Sequence, residues 1–248
     1  MTEDNRPIRL SLVIPCYNEA SRVGLMYNGI TAFVNKWQSF LEIIIIDDGS
    51  TDSTYRLVNE KIVSKYKEIA SVYTQKNTGK GGALRKGVLK ATGDYILTLD
   101  ADMASQPTEL LKWLDILHWH LSPDTIYVGS REHKDSVITS QSDRKVAGNI
   151  FNLVVRVMTG LNIHDTQCGF KLYPANLAKE YFSNLQTFGW AHDVELLYKA
   201  SINNNKIVEM PLVWNAIQGS KIRLVRDAIK MVGEVFSIVV RTKINYKK

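Results

Sequence analysis

A chain of 248 residues, 45% hydrophobic and 23% charged, has the composition of a globular protein of one or two domains, which excludes disordered, collagen-like and low-complexity classes. Lys and Arg number 31 against 25 Asp and Glu, a formal charge of +6 that suits a polyanionic partner: nucleic acid, anionic lipid or a phosphorylated substrate. Cys16 and Cys168 are too few for a disulfide framework or a four-cysteine zinc site, Met1 to Pro7 lacks a signal-peptide core, and no apolar run approaches the ~18 residues of a membrane span.

The first half alternates strand and helix patterns. Leu10 to Ile14 is an apolar run that Pro15 is expected to stop. Val23, Met26, Ile30, Phe33, Val34 and Trp37 recur at helical spacing, and the four isoleucines from Ile43 to Ile46 read as a buried strand. Tyr55, Val58, Ile62, Val63 and Tyr66 predict a helix, Ser71 to Thr74 a strand, and Leu84, Val88 and Ala91 a helix. Tyr95 to Leu99 reads as a strand, Leu110 to Leu117 after Pro107 as a helix, and Ile126 to Val128 as a short strand. Strand and helix in alternation predict an α/β fold with a mostly parallel sheet flanked by helices. Ligands then bind at the carboxyl ends of the strands. Further on, Lys145 to Thr159 and Arg223 to Lys243 are amphipathic, with Lys206 to Val213 as one more strand between them.

Polar clusters stand where the strand runs stop. Asp100-Ala101-Asp102 brings two carboxylates to one turn, which suits Mg2+ or Mn2+ bridging a nucleotide's phosphates, or else two solvated acids. Asp47-Asp48-Gly49-Ser50-Thr51-Asp52 carries an acceptor for a ribose or base, or a helix cap. Gly79-Lys80-Gly81-Gly82 opens a helix, as an anion site or a plain turn; the spacing matches neither the Walker loop nor G-x-G-x-x-G. His118 and His120 share no helix face and read as surface residues. His164 and His192 adjoin acidic residues near the motifs, and Cys16 and Cys168 are expected as buried thiols.

In order, Pro15-Cys16-Tyr17-Asn18-Glu19, the DDGSTD cluster, the GKGGA loop and the DAD triplet resemble the family 2 glycosyltransferases of GT-A (Rossmann-like) fold, over roughly residues 8–225. The resemblance is closest to dolichyl- and polyprenyl-phosphate β-glucosyltransferases. Gly129-Ser130-Arg131, Asp165 to Lys171, Asp193 to Leu197 and Gly219-Ser220-Lys221 narrow it, and Gln-Cys-Gly-Phe-Lys leans toward glucose rather than mannose. The resemblance implies an inverting, metal-dependent transfer from UDP-glucose to a polyprenyl phosphate. GDP-mannose, another sugar or a saccharide acceptor are the alternatives. It implies that Pro15, Tyr17, Glu19 and Asp48 hold the uridine part. Lys80, Asp100, Ala101 and Asp102 complete the donor site, with Asp102 the more direct ligand of Mg2+ or Mn2+ and Asp100 beside it. Arg131 and Lys221 face phosphates, Asp193 is an acid near the acceptor, as base or orienting group, and Gln167 lies near the sugar.

The expected organisation is a catalytic domain over residues 1–220, with a donor half at about 8–130 and an acceptor half at about 131–220. A basic amphipathic extension follows over 221–248. Both amphipathic segments would rest on a membrane surface or pack on the sheet or a partner subunit, which leaves room for a homo-oligomer. The lack of an N-terminal anchor points to a cytoplasmic enzyme lying peripherally on the inner face of the membrane. A nucleic-acid-binding module accounts for the charge of +6 but not for paired acids at strand ends, so nucleic acid is not an expected partner.

Overall fold

The computed structural model describes residues 7–139, 144–215 and 224–245, with the side chains of 144–151, 224–230 and 245 outside that description. The first half of the chain runs β1 (Leu10–Cys16), α1 (Val23–Val34), β2 (Leu41–Asp47), α2 (Thr54–Val58), β3 (Ala70–Thr74), α3 (Lys80–Lys90), β4 (Tyr95–Thr98), α4 (Glu109–Ile116) and β5 (Thr125–Gly129). It is followed by β6 (Val137–Ile138), α5 (Arg144–Thr159), β7 (Lys171–Pro174), α6 (Ala175–Ser183), α7 (His192–Ile202), β8 (Lys206–Met210), β9 (Val213–Trp214) and α8 (Leu224–Asn245).

Seven strands form one sheet in the order β3-β2-β1-β4-β7-β5-β8, while β6 and β9 pair separately. The sheet is parallel except for β7, which runs antiparallel to both β4 and β5. The α/β expectation of a mostly parallel sheet therefore stands. The run Ile43 to Ile46 is apolar throughout because helices cover both faces of β2. Ile43 and Ile45 belong to the core cluster that includes α1 and α4, and Ile44 and Ile46 to the one that includes α3, α6 and α7.

Several boundaries differ from expectation, each for a physical reason. Pro15 does not stop β1; it lies inside the strand opposite Ile46. Its missing N–H would point to the β4 side, where pairing ends at Val13–Thr98 and Leu99 N–H closes on the Val13 carbonyl, so no ladder bond is lost. The helix predicted over Tyr55 to Tyr66 ends at Val58 and continues as a wider turn over Asn59–Val63. The strand predicted from Lys206 to Val213 divides at Pro211 into β8 and β9. α8 turns Met231, Val235 and Ile238 into the core shared with Val194 and Leu197 of α7. Among the described residues no helix is long and apolar enough to cross a membrane.

Candidate active site

The strand order places the ends of β1, β2 and β4 side by side, and each releases a polar loop at the same edge. After β1, Asn18 takes a left-handed φ of 52°. Its Oδ1 accepts the Thr51 N–H (2.8 Å), its own N–H donates to Ser50 Oγ (2.9 Å), and the Glu19 N–H donates to Thr54 Oγ1 (2.7 Å). The β1 and β2 loops are thereby clasped together. Glu19 pairs with Arg22 (2.9 Å), and Tyr17 stands exposed at the rim.

Asp48 is 2% exposed, and both its oxygens are engaged by the β3–α3 loop. Oδ1 accepts from Gln75 Nε2 (2.7 Å) and Thr78 N (3.0 Å), and Oδ2 accepts from Gly79 N (2.8 Å). Asp48 thus sets the path of the GKGG loop. The glycines of that loop answer to close packing. A Cβ at Gly79, where φ is +98°, would lie 2.6 Å from the Phe188 carbonyl oxygen, and one at Gly81 2.7 Å from His192 Cβ. The loop's lysine turns inward, with Lys80 Nζ 2.6 Å from Asp100 Oδ1. Burial disfavours the Lys80 charge, but Asp100 and Asp193 outweigh it and hold its pKa above the ordinary value.

The DAD turn after β4 is tight. Met103 adopts a φ of 57°, a left-handed conformation rare for such a side chain, and Asp102 Oδ1 accepts the Ala104 N–H (3.0 Å). Ala101 is buried beneath the two acids. Burial and the neighbouring Asp100 charge raise the Asp102 pKa. Two hard carboxylates with more negative charge than their surroundings neutralise fit a divalent cation. Among the described residues no cluster of three or more His, Cys, Asp and Glu forms a complete metal cage, so water and phosphate oxygens would have to supply the remaining positions.

Beside the DAD turn, Asp100, Arg131, Gln167, Gly169 and Trp214 line one depression. Arg131 forms a bidentate pair with Asp165, Nε to Oδ2 at 2.6 Å and Nη2 to Oδ1 at 2.8 Å, and its backbone N–H adds a third bond at 3.0 Å. Burial opposes the Asp165 carboxylate, but the guanidinium more than offsets it and holds the pKa down. Asp193 opens α7 and is buried against Lys171, whose Nζ lies 2.7 Å from Oδ1.

A family model, Glycosyl transferase family 2, matches residues 11–182. The chain belongs to that family. It is similar to the dolichyl-phosphate beta-glucosyltransferase of Saccharomyces cerevisiae, 35% identical over 252 residues that cover 95% of this chain and 75% of the relative. The Homo sapiens protein of the same name is 36% identical over 231 residues, 88% of this chain and 71% of that one. Among solved structures, glucosyl-3-phosphoglycerate synthase from Mycobacterium tuberculosis, in complex with Mn2+ and UDP-glucose, aligns with a TM-score of 0.67 at 18% identity, over 94% of this chain and 78% of that chain. Mannosyl-3-phosphoglycerate synthase from Rubrobacter xylanophilus gives 0.67 at 19%, over 97% and 75%. At these identities the structural likeness is one of fold.

The glycosyltransferase fold brings Pro15, Tyr17, Glu19, Asp48, Lys80, Asp100, Ala101 and Asp102 to one sheet edge, with Arg131, Gln167 and Asp193 beside them. Lys221 lies outside the described residues. His118 and His120 are exposed and Cys16 and Cys168 are buried, as expected, with the Cys168 thiol pushed up to about 12 by burial. His164 turns outward to Glu209 (2.7 Å), whereas His192 is buried beside Asp193. Sequence reasoning missed Asp165 as the partner of Arg131, Lys171 as a buried cation and Gly169 as a spacer. The signal for the last was present in Gln-Cys-Gly-Phe-Lys. A Cβ at Gly169 would lie 2.5 Å from Asp100 Oδ2, so Gly169→Ala must displace that carboxylate. Its turnover is expected to fall roughly 100-fold, with the protein still folded by circular dichroism.

Proposed function

We propose that this glycosyltransferase moves glucose from UDP-glucose to dolichyl phosphate or a related polyprenyl phosphate, with inversion at the sugar carbon. The observation that carries the reading is the 35% identity over 95% of the chain to a dolichyl-phosphate beta-glucosyltransferase. The depression that Asp100 and Arg131 line together supports it, with an acid for a metal-bound donor beside an arginine for a phosphate. The donor half, about residues 8–130, would hold the nucleotide sugar, and the acceptor half, about 131–220, the lipid phosphate, with 221–248 a basic extension.

In the proposed site, Pro15, Tyr17 and Glu19 form the uridine wall, and Asp48 acts on it through the loop it holds. Asp102 and Asp100 would hold Mg2+ or Mn2+, which when bound neutralises charge on the departing diphosphate. Lys80 adds a cation at the same place. Two guanidinium nitrogens of Arg131 are spent on Asp165, which leaves its Nη1 edge for the acceptor phosphate. Lys221 is assigned to phosphate by its motif alone. Gln167 contacts the sugar. A phosphate oxygen attacks C1 as the C1–O bond to UDP breaks, and the electron pair leaves with UDP. Attack opposite the leaving group converts an α-linked donor into a β-linked product. A phosphate dianion needs no strong base, so Asp193 orients rather than deprotonates.

The acceptor's lipid tail calls for an apolar surface. Leu153 and Val157 of α5 and Val232, Phe236, Val240 and Ile244 of α8 are exposed, the last four at a spacing of four residues. We assign this face to the membrane surface, where the chain would work peripherally. The test incubates the protein with Mg2+ or Mn2+, a panel of nucleotide sugars, and dolichyl phosphate in vesicles. Glycolipid formed from UDP-glucose by protein that sediments with the vesicles supports the reading. Preference for GDP-mannose, or sugar release without a lipid product, overturns it.

A further inference from the structure

Lys171 is a charged residue that the proposed chemistry leaves without a task. It begins β7, the antiparallel strand between β4 and β5, and its side chain is fully buried. It therefore reaches neither solvent nor substrate. Its Nζ donates to the Cys168 carbonyl and to Asp193 Oδ1, the latter at 2.7 Å. Each of these contacts leads to a different segment, the turn before β7 and the start of α7.

The Cys168 carbonyl precedes Gly169, the residue that lies directly against the Asp100 carboxylate. The same turn is held from β4, where Thr98 Oγ1 donates to the Gly169 carbonyl at 3.1 Å. Asp193 stands on the first turn of α7, where it also faces Lys80, the partner of Asp100. One buried ammonium thus ties the turn that spaces Asp100 to the acid assigned to the acceptor side.

The groups that face Asp193 are few. Lys171 and Tyr173 approach from β7, His192 from its own helix, and Lys80 from α3. His192 Nδ1 lies 2.8 Å from the Gly189 carbonyl, and its Nε2, 3.4 Å from Asp193 Oδ2, has no hydrogen-bond partner among the described residues. Burial holds His192 below its ordinary pKa, so near neutral pH it is uncharged and Lys171 is the cation in contact with Asp193. Burial pushes the Asp193 carboxyl up, but its charged neighbours outweigh this and hold it low. A buried ion pair contributes little net stability compared with an apolar pair of the same size, so stability alone does not account for Lys171.

We propose that Lys171 is a positioning residue whose ammonium fixes the Asp193 carboxylate and the Cys168–Gly169 turn in one geometry, setting the separation between the acceptor-side acid and the donor-side Asp100. The inference rests on the assignment of Asp100 and Asp193 to the site. Lys171 itself touches no substrate.

The test compares Lys171→Met, Lys171→Arg, Asp193→Asn and the Lys171→Met/Asp193→Asn double variant. The Asp193 carboxyl is titrated by carbon NMR in wild type and Lys171→Met, and transfer from UDP-glucose to dolichyl phosphate is followed against pH. In Lys171→Met the Asp193 titration is expected to move upward, because the contacting cation is gone. Its kcat is expected to fall about 100-fold, with KM for the donor close to wild type, as for a misplaced group. Lys171→Arg recovers part of that loss. The double variant is expected to be no slower than the slower single variant, and to unfold no earlier than Lys171→Met. An Asp193 titration unmoved in Lys171→Met, or losses that multiply in the double variant, overturns the proposal. If Lys171→Met does not fold, the double variant, which removes both charges, carries the test: failure to fold there too assigns Lys171 a structural role only and overturns the proposal. The titration needs no turnover. A wild-type protein inactive on every donor whose Asp193 still responds to Lys171 overturns the glucosyl-transfer reading and supports the coupling.

Discussion

Asp102→Asn is expected to lower sugar transfer by about a thousandfold while leaving the protein folded. The asparagine keeps the size of the side chain and its acceptor for the Ala104 N–H, so the turn after β4 retains its shape. What it removes is negative charge beside Asp100. Burial and Asp100 already raise the Asp102 pKa, so its ionised form is disfavoured in the folded protein. The sign for stability follows. A carboxyl whose pKa is raised on folding favours the folded state while protonated, and this contribution is lost as pH rises through the ordinary carboxylate range and beyond. At neutral pH, without metal or nucleotide, the Asp102→Asn protein should melt at the wild-type temperature or above it. Steady-state transfer and calorimetric melting check the two halves. Turnover near the wild-type rate would remove Asp102 from the metal site.

Arg131→Ala has the second large effect, and it acts on stability and activity together. Asp165 is 1% exposed, and its carboxylate receives three charge-assisted or backbone bonds from Arg131. Removing the guanidinium strands a buried acid, at a cost of about 3 kcal/mol. That figure sits at the low end for such pairs because the Arg131 side chain keeps 35% exposure. The Asp165 pKa is held down in the fold, so its contribution is present above the ordinary carboxylate range and lost as pH falls through the lowered value. Urea unfolding of wild type should therefore weaken with acid, and that of Arg131→Ala should do so less. Adding Asp165→Asn to Arg131→Ala removes the stranded charge and is expected to restore much of the stability. Transfer should not return with it, because the guanidinium assigned to the acceptor phosphate is still missing. Recovery of both would make the pair purely structural.

Much of the first half of the chain was legible because its signals are local. The isoleucine run, the helical spacings and the acidic clusters after β2 and β4 each report on neighbours in sequence, and a parallel sheet gathers strand ends at one edge. The legible features ended where long-range pairing decides. β7 opens with the lysine that ends the Asp165 to Lys171 motif and has four residues, too few to show a period; its position between β4 and β5 makes it a strand. Pro15 reads as a strand breaker unless one knows that β4 has already ended on that side. The GKGG glycines read as an anion site or a plain turn, and the close approach of Phe188 and His192 to Gly79 and Gly81 is a further demand that no local pattern announces. Asp165 and Arg131 are 34 residues apart, and Lys171 and Asp193 22, so no spacing rule pairs them.

In the proposed function a single displacement carries glucose from UDP-glucose to a polyprenyl phosphate. The most direct measurement is the anomeric configuration of the lipid product, read by NMR after incubation with carbon-13-labelled UDP-glucose, a divalent cation and dolichyl phosphate. The account predicts a β-linked glucosyl phospholipid formed in step with UDP release. An α-linked product, or free glucose released with UDP and no glycolipid, would contradict it.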